Sequence, residues 1–149
     1  MILLVHMLFG AVFGSIINNP LLAVFLAFLG HYFLDIFPHI EYSIPNIVSK
    51  NWKNSLPDFL KVFLDFLLGI FLIFILSNNK PIIYICTFFS ILPDGLTLLT
   101  SILPKFLKRH NEIHTENIHY LTKQKNFPNY WKIFTQMVVV IISVILLKY

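Results

Sequence analysis

The chain has 149 residues, of which 57% are hydrophobic and 12% charged, with a formal net charge of +4 and a mean hydropathy of +0.77. Soluble domains carry about 25% charged residues, so this composition excludes an ordinary soluble domain and points to one membrane-embedded domain covering 1–149. The single cysteine, Cys86, excludes a disulfide framework and a thiolate metal site, and reads as a packing residue.

The first apolar run, 2–17, has no basic residue ahead of it and carries His6 within it, so it reads as a retained helix rather than a cleaved leader. Asn18-Asn19-Pro20 is a turn, and Pro20 suits the first turn of a second helix over 20–37, which Pro38 ends. Residues 38–56 form a polar connection. Ser55 then reads as the N-cap of a third helix reaching about 77, with Pro57 in its first turn and Asp58 complementing its dipole. A second tight turn at 78–81 leads to a fourth helix over 81–103, which Pro93 is expected to kink or break. Residues 104–127 are the most polar stretch, and a fifth helix covers 128–147. The expectation is an all-α, polytopic membrane bundle of four to five helices. The first two are a little short of the roughly 20 residues needed to cross a bilayer, and would be tilted, buried or re-entrant.

If all five segments span, the N-terminus and the 38–56 and 104–127 connections share one side. Nine of the eleven Lys and Arg residues lie on or beside that side, against Lys80 and Lys148 on the other. The positive-inside rule places the basic side in the cytoplasm. All six histidines and all seven acids fall toward the same face. His6, His31, Asp35, Asp65 and Asp94 lie inside apolar segments, where an ionisable group costs about 2.5–3.5 kcal/mol and signals function.

His31 and Asp35 are spaced i, i+4 and share a helix face, with His39 just past the end of that helix. His110 and His114 have the same spacing if their segment is helical. Imidazole and carboxylate donors without thiolate suit zinc or another divalent metal at a hydrolytic site. An acid that is not a ligand, Glu41 or Asp65, would serve as general base. Asp94, in Leu-Pro-Asp-Gly, is either a ligand or the cap of a helix restarting after Pro93. His119 also suits a surface position at the interface. Lys105, Lys108 and Arg109 would attract a phosphate.

The stretches "HMLFGAVFGS", "GHYFLDIFPHIEY", "LPDG" and "RHNEIH" together resemble the LexA-binding, inner-membrane-associated hydrolase family of bacteria, which is distantly similar to zinc-dependent phospholipase C. The matching positions are His6, His31 with Asp35, Pro93 with Asp94, and His110 with His114. The chain departs from the family in carrying Pro-Asp-Gly-Leu-Thr where those proteins have Pro-Asp-x-Asp-His. His39 also follows Asp35 more closely than the third ligand does in the phospholipase branch. The resemblance implies a metal-dependent hydrolase of the bacterial inner membrane.

The combined expectation is a divalent-metal site, zinc by donor type, at the cytoplasmic membrane face, formed by His6, His31, Asp35, His39, Asp94, His110 and His114. It would act on a phosphoester, such as one in a membrane lipid. The alternative is a non-enzymatic metal-binding or scaffolding membrane protein. A transporter is disfavoured because the other half of the bilayer has almost no polar residues. A nucleic-acid partner is disfavoured because the basic residues over 104–132 are mixed with acids.

Overall fold

The computed structural model describes residues 1–100, 104–118 and 127–149, and within 104–118 the side chains of 107, 109–114 and 118. His119, Lys123 and Lys125, and the side chains of Lys105, Lys108 and Glu116, therefore lie outside the described residues.

Among the described residues the chain is all-helical. The helices are α1 (Leu3–Ile16), α2 (Pro20–Asp35), the short α3 (Pro45–Val48), α4 (Leu56–Leu76), α5 (Pro81–Leu99), α6 (Pro104–Asn111) and α7 (Asn129–Lys148). A 3₁₀ turn covers Trp52–Asn54, and α6 runs on as a π-helical segment over Glu112–Ile118. Proline stands in the first turn of α2, α3, α4 and α5, where its missing N–H has no helical acceptor to lose. Asn19 caps α2, its side-chain oxygen accepting from Leu22 N at 3.1 Å. Ser55 precedes α4 as expected but makes no capping bond, because its hydroxyl donates to Trp52 O at 2.9 Å. The 38–56 and 104–127 connections are more structured than polarity alone implies, since they contain α3 and α6.

Three helices, α4, α5 and α7, are long and apolar enough to cross a membrane. Their outward faces are Phe, Leu, Ile and Val, many of them more than 40% exposed, as expected for side chains that meet lipid. The two shorter helices are apolar as well. At 1.5 Å per residue, α1 extends about 21 Å against a hydrocarbon core of about 30 Å.

The shortness of α1 follows from its position. It packs against α2, α4, α5 and α7, and eight of its 14 residues are buried, all of them between Val5 and Gly14. Its Met7, Leu8, Ala11 and Val12 meet Ile73 of α4, Ile83 of α5 and Leu147 of α7. A helix enclosed by others does not have to match the bilayer. Lipid offers no hydrophobic drive between helices, so close van der Waals contact holds them. Gly10 and Gly14 provide that contact. A Cβ on Gly14 would lie 2.6 Å from Ile83 Cα, and one on Gly10 would run into Ser90 Oγ.

Pro93 does not break α5, which is helical through Asp94 to Leu99. It does leave Phe89 O without the N–H that a non-proline residue would offer. Two neighbouring carbonyls accept from side chains. Ser90 O accepts from His31 Nδ1, and Pro93 O accepts from Thr97 Oγ1 and His110 Nε2.

Candidate metal centre

The polar side chains meet where α1 begins, α2 ends and α5 approaches its end. His31, Asp35, Asp94 and His114 bring one ligand atom each to within 4.8 Å of one another. His31 and Asp35 come from the last turns of α2, Asp94 from the turn after Pro93, and His114 from the π-helical segment. These four residues can hold a metal ion. His31 and Asp35 are fully buried, His114 nearly so, and the Asp94 side chain is 27% exposed.

The hydrogen bonds fix which nitrogen of each ring carries the proton. His31 Nδ1 lies 2.8 Å from Ser90 O, and a carbonyl only accepts, so Nδ1 carries a proton and Nε2 is the nitrogen that a neutral ring offers as a ligand. His114 Nδ1 lies 2.9 Å from Thr97 Oγ1. The single proton of that hydroxyl goes to Pro93 O at 3.0 Å, so Thr97 accepts from His114. In a neutral ring, His114 Nε2 is then the nitrogen with the lone pair. These tautomers follow from the network.

The two Nε2 atoms lie 3.0 Å apart. Asp35 Oδ2 is 3.1 Å from His31 Nε2 and 3.3 Å from His114 Nε2, and Asp94 Oδ1 is 3.6 and 3.8 Å from the same two atoms. Four potential ligand atoms converge, three of them on buried residues and that of Asp94 on a partly exposed one. A single proton could join one pair of them, whereas a divalent cation serves all four. Ligands about 2.0–2.1 Å from a tetrahedral ion stand about 3.3 Å apart, and these separations run from 3.0 to 3.8 Å. With only nitrogen and oxygen donors, the residues fit a borderline or hard divalent ion.

The other expected residues are placed as follows. His6 Nε2 is 3.3 Å from Asp35 Oδ1, and its ring stacks on His31 with centroids 4.0 Å apart. His39 Nε2 is 3.8 Å from Asp35 Oδ1 and 3.3 Å from Glu41 Oε1. Its backbone neighbours are held by α7, where Thr135 Oγ1 donates to Pro38 O and Gln136 Nε2 donates to Ile40 O at 2.9 Å. His110 points elsewhere: its Nε2 donates to Pro93 O at 3.1 Å, and its ring stacks on His114. Asp65 accepts from Leu4 N at 2.8 Å and from the Tyr42 hydroxyl. Burial, and then the Asp65 carboxylate, push the Tyr42 pKa well above its ordinary value, so the hydroxyl stays a donor.

A cleft of about 390 Å³ opens beside the cluster. Asp94 and His114 reach it from the metal side, and Glu41, Tyr42 and Thr97 form other parts of its wall. Asp65 is not among its lining residues. Arg109 is exposed.

Ser90 and Thr97, which hydrogen-bond His31 and His114, are not among the expected site residues. Their signal is a polar stripe, Thr87, Ser90, Asp94 and Thr97, at spacings of three, four and three along an apolar helix, which places all four on one face. No family model, no curated protein and no solved structure matches the chain.

Proposed function

We propose that the chain is a polytopic integral protein of the bacterial cytoplasmic membrane, with four or five apolar helices around a divalent-metal centre at the cytoplasmic face, and that it hydrolyses a phosphoester, most suitably one in a membrane lipid. The observation that carries this reading is the convergence of His31 Nε2, His114 Nε2, Asp35 Oδ2 and Asp94 Oδ1 beside an open cleft. The resemblance to inner-membrane hydrolases and the weight of basic residues on one side agree with it.

A divalent ion held here, zinc by its taste for imidazole and carboxylate, would polarise a phosphoryl oxygen and provide a nucleophile near neutral pH. The protein's own groups supply the rest. Ser90 and Thr97 hold the two imidazoles in the tautomer that donates a lone pair. Glu41 lines the cleft and is better placed than Asp65 to take a proton, because Asp65 is tied to Leu4 and Tyr42. The cleft lies among helix ends, which suits a headgroup whose acyl chains remain in the bilayer.

The test is elemental analysis of detergent-purified protein, wild type and the His31→Ala/Asp35→Ala double variant, followed by release of phosphorylated headgroup from phospholipid vesicles. Near-stoichiometric zinc or manganese in wild type, lost in the variant, with metal-dependent release, is the expected result. Bound metal without turnover of any phosphoester would leave a non-enzymatic metal-binding protein. No metal after reconstitution with excess ion would overturn the reading.

A further inference from the structure

We infer that Asp35 bridges two cation positions, and that His6 and His39 complete a second divalent-metal site beside the one proposed above, on whose existence this inference rests. The two oxygens of Asp35 face different partners. Oδ2 is turned to His31 and His114. Oδ1 is turned to His6 Nε2 at 3.3 Å and His39 Nε2 at 3.8 Å, and Glu41 Oε1 lies 3.3 Å from His39 Nε2. The two approaches to Asp35 Oδ1, at 3.3 and 3.8 Å, are near the roughly 3.3 Å edge of a tetrahedral shell.

His6 is the independent sign. It is fully buried, and neither ring nitrogen makes a hydrogen bond, Nε2 standing near Asp35 Oδ1 but out of alignment. Leaving a buried polar group unsatisfied is unfavourable, and buried polar atoms are nearly always paired. The ring cannot easily turn away to find a donor, because it is stacked face to face on His31. A metal bond would satisfy Nε2, the nitrogen that faces Asp35 Oδ1. His39 is prepared in the same way as the ligands of the first site. Its Nδ1 donates to Phe37 O at 2.7 Å, which leaves Nε2, facing Asp35 and Glu41, as the nitrogen that could bind a metal. The amino group of Met1 lies 3.0 Å from Asp35 Oδ1, with both groups buried, so this oxygen already attracts a positive charge. The ligand class is a divalent cation that accepts imidazole and carboxylate. Paired ions of that kind recur in enzymes that cleave phosphoesters.

The experiment strips the full-length protein in detergent, reconstitutes it with Mn(II), counts manganese per chain by elemental analysis and records the electron paramagnetic resonance spectrum. Wild type is expected to hold two ions with a spin-coupled signal. His6→Ala and His39→Gln should each hold one, with the six-line spectrum of an isolated ion. His39 lies on a loop, so its variant keeps the test open if His6→Ala fails to fold. One uncoupled ion in wild type, or two ions retained in both variants, would overturn the inference and leave the first site standing. No bound ion in wild type would remove both.

Discussion

The two ends of the α1–α2–α5 trio are built on opposite principles. At one end, His6, His31, Asp35 and Asp94 gather, and the last three, with His114, could hold a metal ion. At the other, Gly14 lies against the backbone of Ile83, and Ala23, Ala27 and Cys86 close the contact between α2 and α5. The first end is costly to assemble without a ligand, while the second holds the helices by contact alone. The apolar end thus supplies the rigidity that keeps the polar end from spreading apart. Ser90 joins the two: its hydroxyl donates to His6 O at 2.7 Å and Thr87 O at 2.9 Å, its carbonyl holds His31, and its side chain covers Gly10.

The strongest way to break this division of labour is Gly14→Leu. The new side chain would meet Ile83 Cα, Ile82 O and Ile83 N within 3.0 Å, all of them backbone atoms. Helix α5 would have to move away from α1, with an overpacking cost of about 3 kcal/mol or more. Loss of the folded protein in detergent, seen by size exclusion and thermal melting, is the expected outcome. A melting temperature equal to wild type would show that the glycine contact does not hold the bundle.

The polar end is sharpened by Asp94→Asn, which keeps the volume and removes a charged donor. Metal affinity should fall more than about 100-fold, beyond the 10- to 100-fold cost of losing a supporting residue. The metal-free protein should melt no lower than wild type, because the amide offers a donor to His31 Nε2 or His114 Nε2 where the carboxylate offered a fourth acceptor. A metal-free variant that melts well below wild type would mean that the Asp94 charge is itself structural.

The polar end was the more legible of the two in the sequence. An ionisable residue in an apolar run stands out, and the i, i+4 spacing of His31 and Asp35 is enough to place them on one helix face. The helices α4, α5 and α7 were legible for similar reasons, from their length and from prolines that mark their starts. The central position of α1 was not. Its composition resembles that of its neighbours, and its clue is the Gly10-x-x-x-Gly14 spacing that permits close helix approach. The turn of His110 away from the cluster was beyond reach as well. The i, i+4 spacing with His114 does bring the two rings together, but which nitrogen meets which partner depends on Pro93 O, a backbone atom with no signature in the side-chain pattern.

A smaller effect tests how the cluster is oriented. Thr97→Val removes the acceptor for His114 Nδ1–H and leaves every ligand atom in place. The ring can then rotate or change tautomer, and metal affinity should drop about 10- to 100-fold with little change in folding. Thr97→Ser restores the hydroxyl and should restore affinity, measured by competition with a metal indicator. An unchanged affinity in Thr97→Val would show that His114 is oriented by its helix alone.

The smallest effect comes from a glycine that resembles Gly14 on paper. A Cβ on Gly69 would lie 2.6 Å from Met7 Sδ and 2.7 Å from Met7 Cε, so the clash is as close as at Gly14. The obstacle is different. It is the far end of a thioether with three rotatable bonds, which can shift where a backbone cannot. The alanine also recovers about 0.5–1 kcal/mol of helix propensity inside α4. Gly69→Ala should therefore change stability by less than about 1 kcal/mol, while Gly14→Ala should cost about 1–3 kcal/mol. Thermal melts of the two variants under one detergent condition compare them directly. Equal destabilisation would mean that Met7, fully buried between α1 and α4, is held as firmly as the backbone of α5.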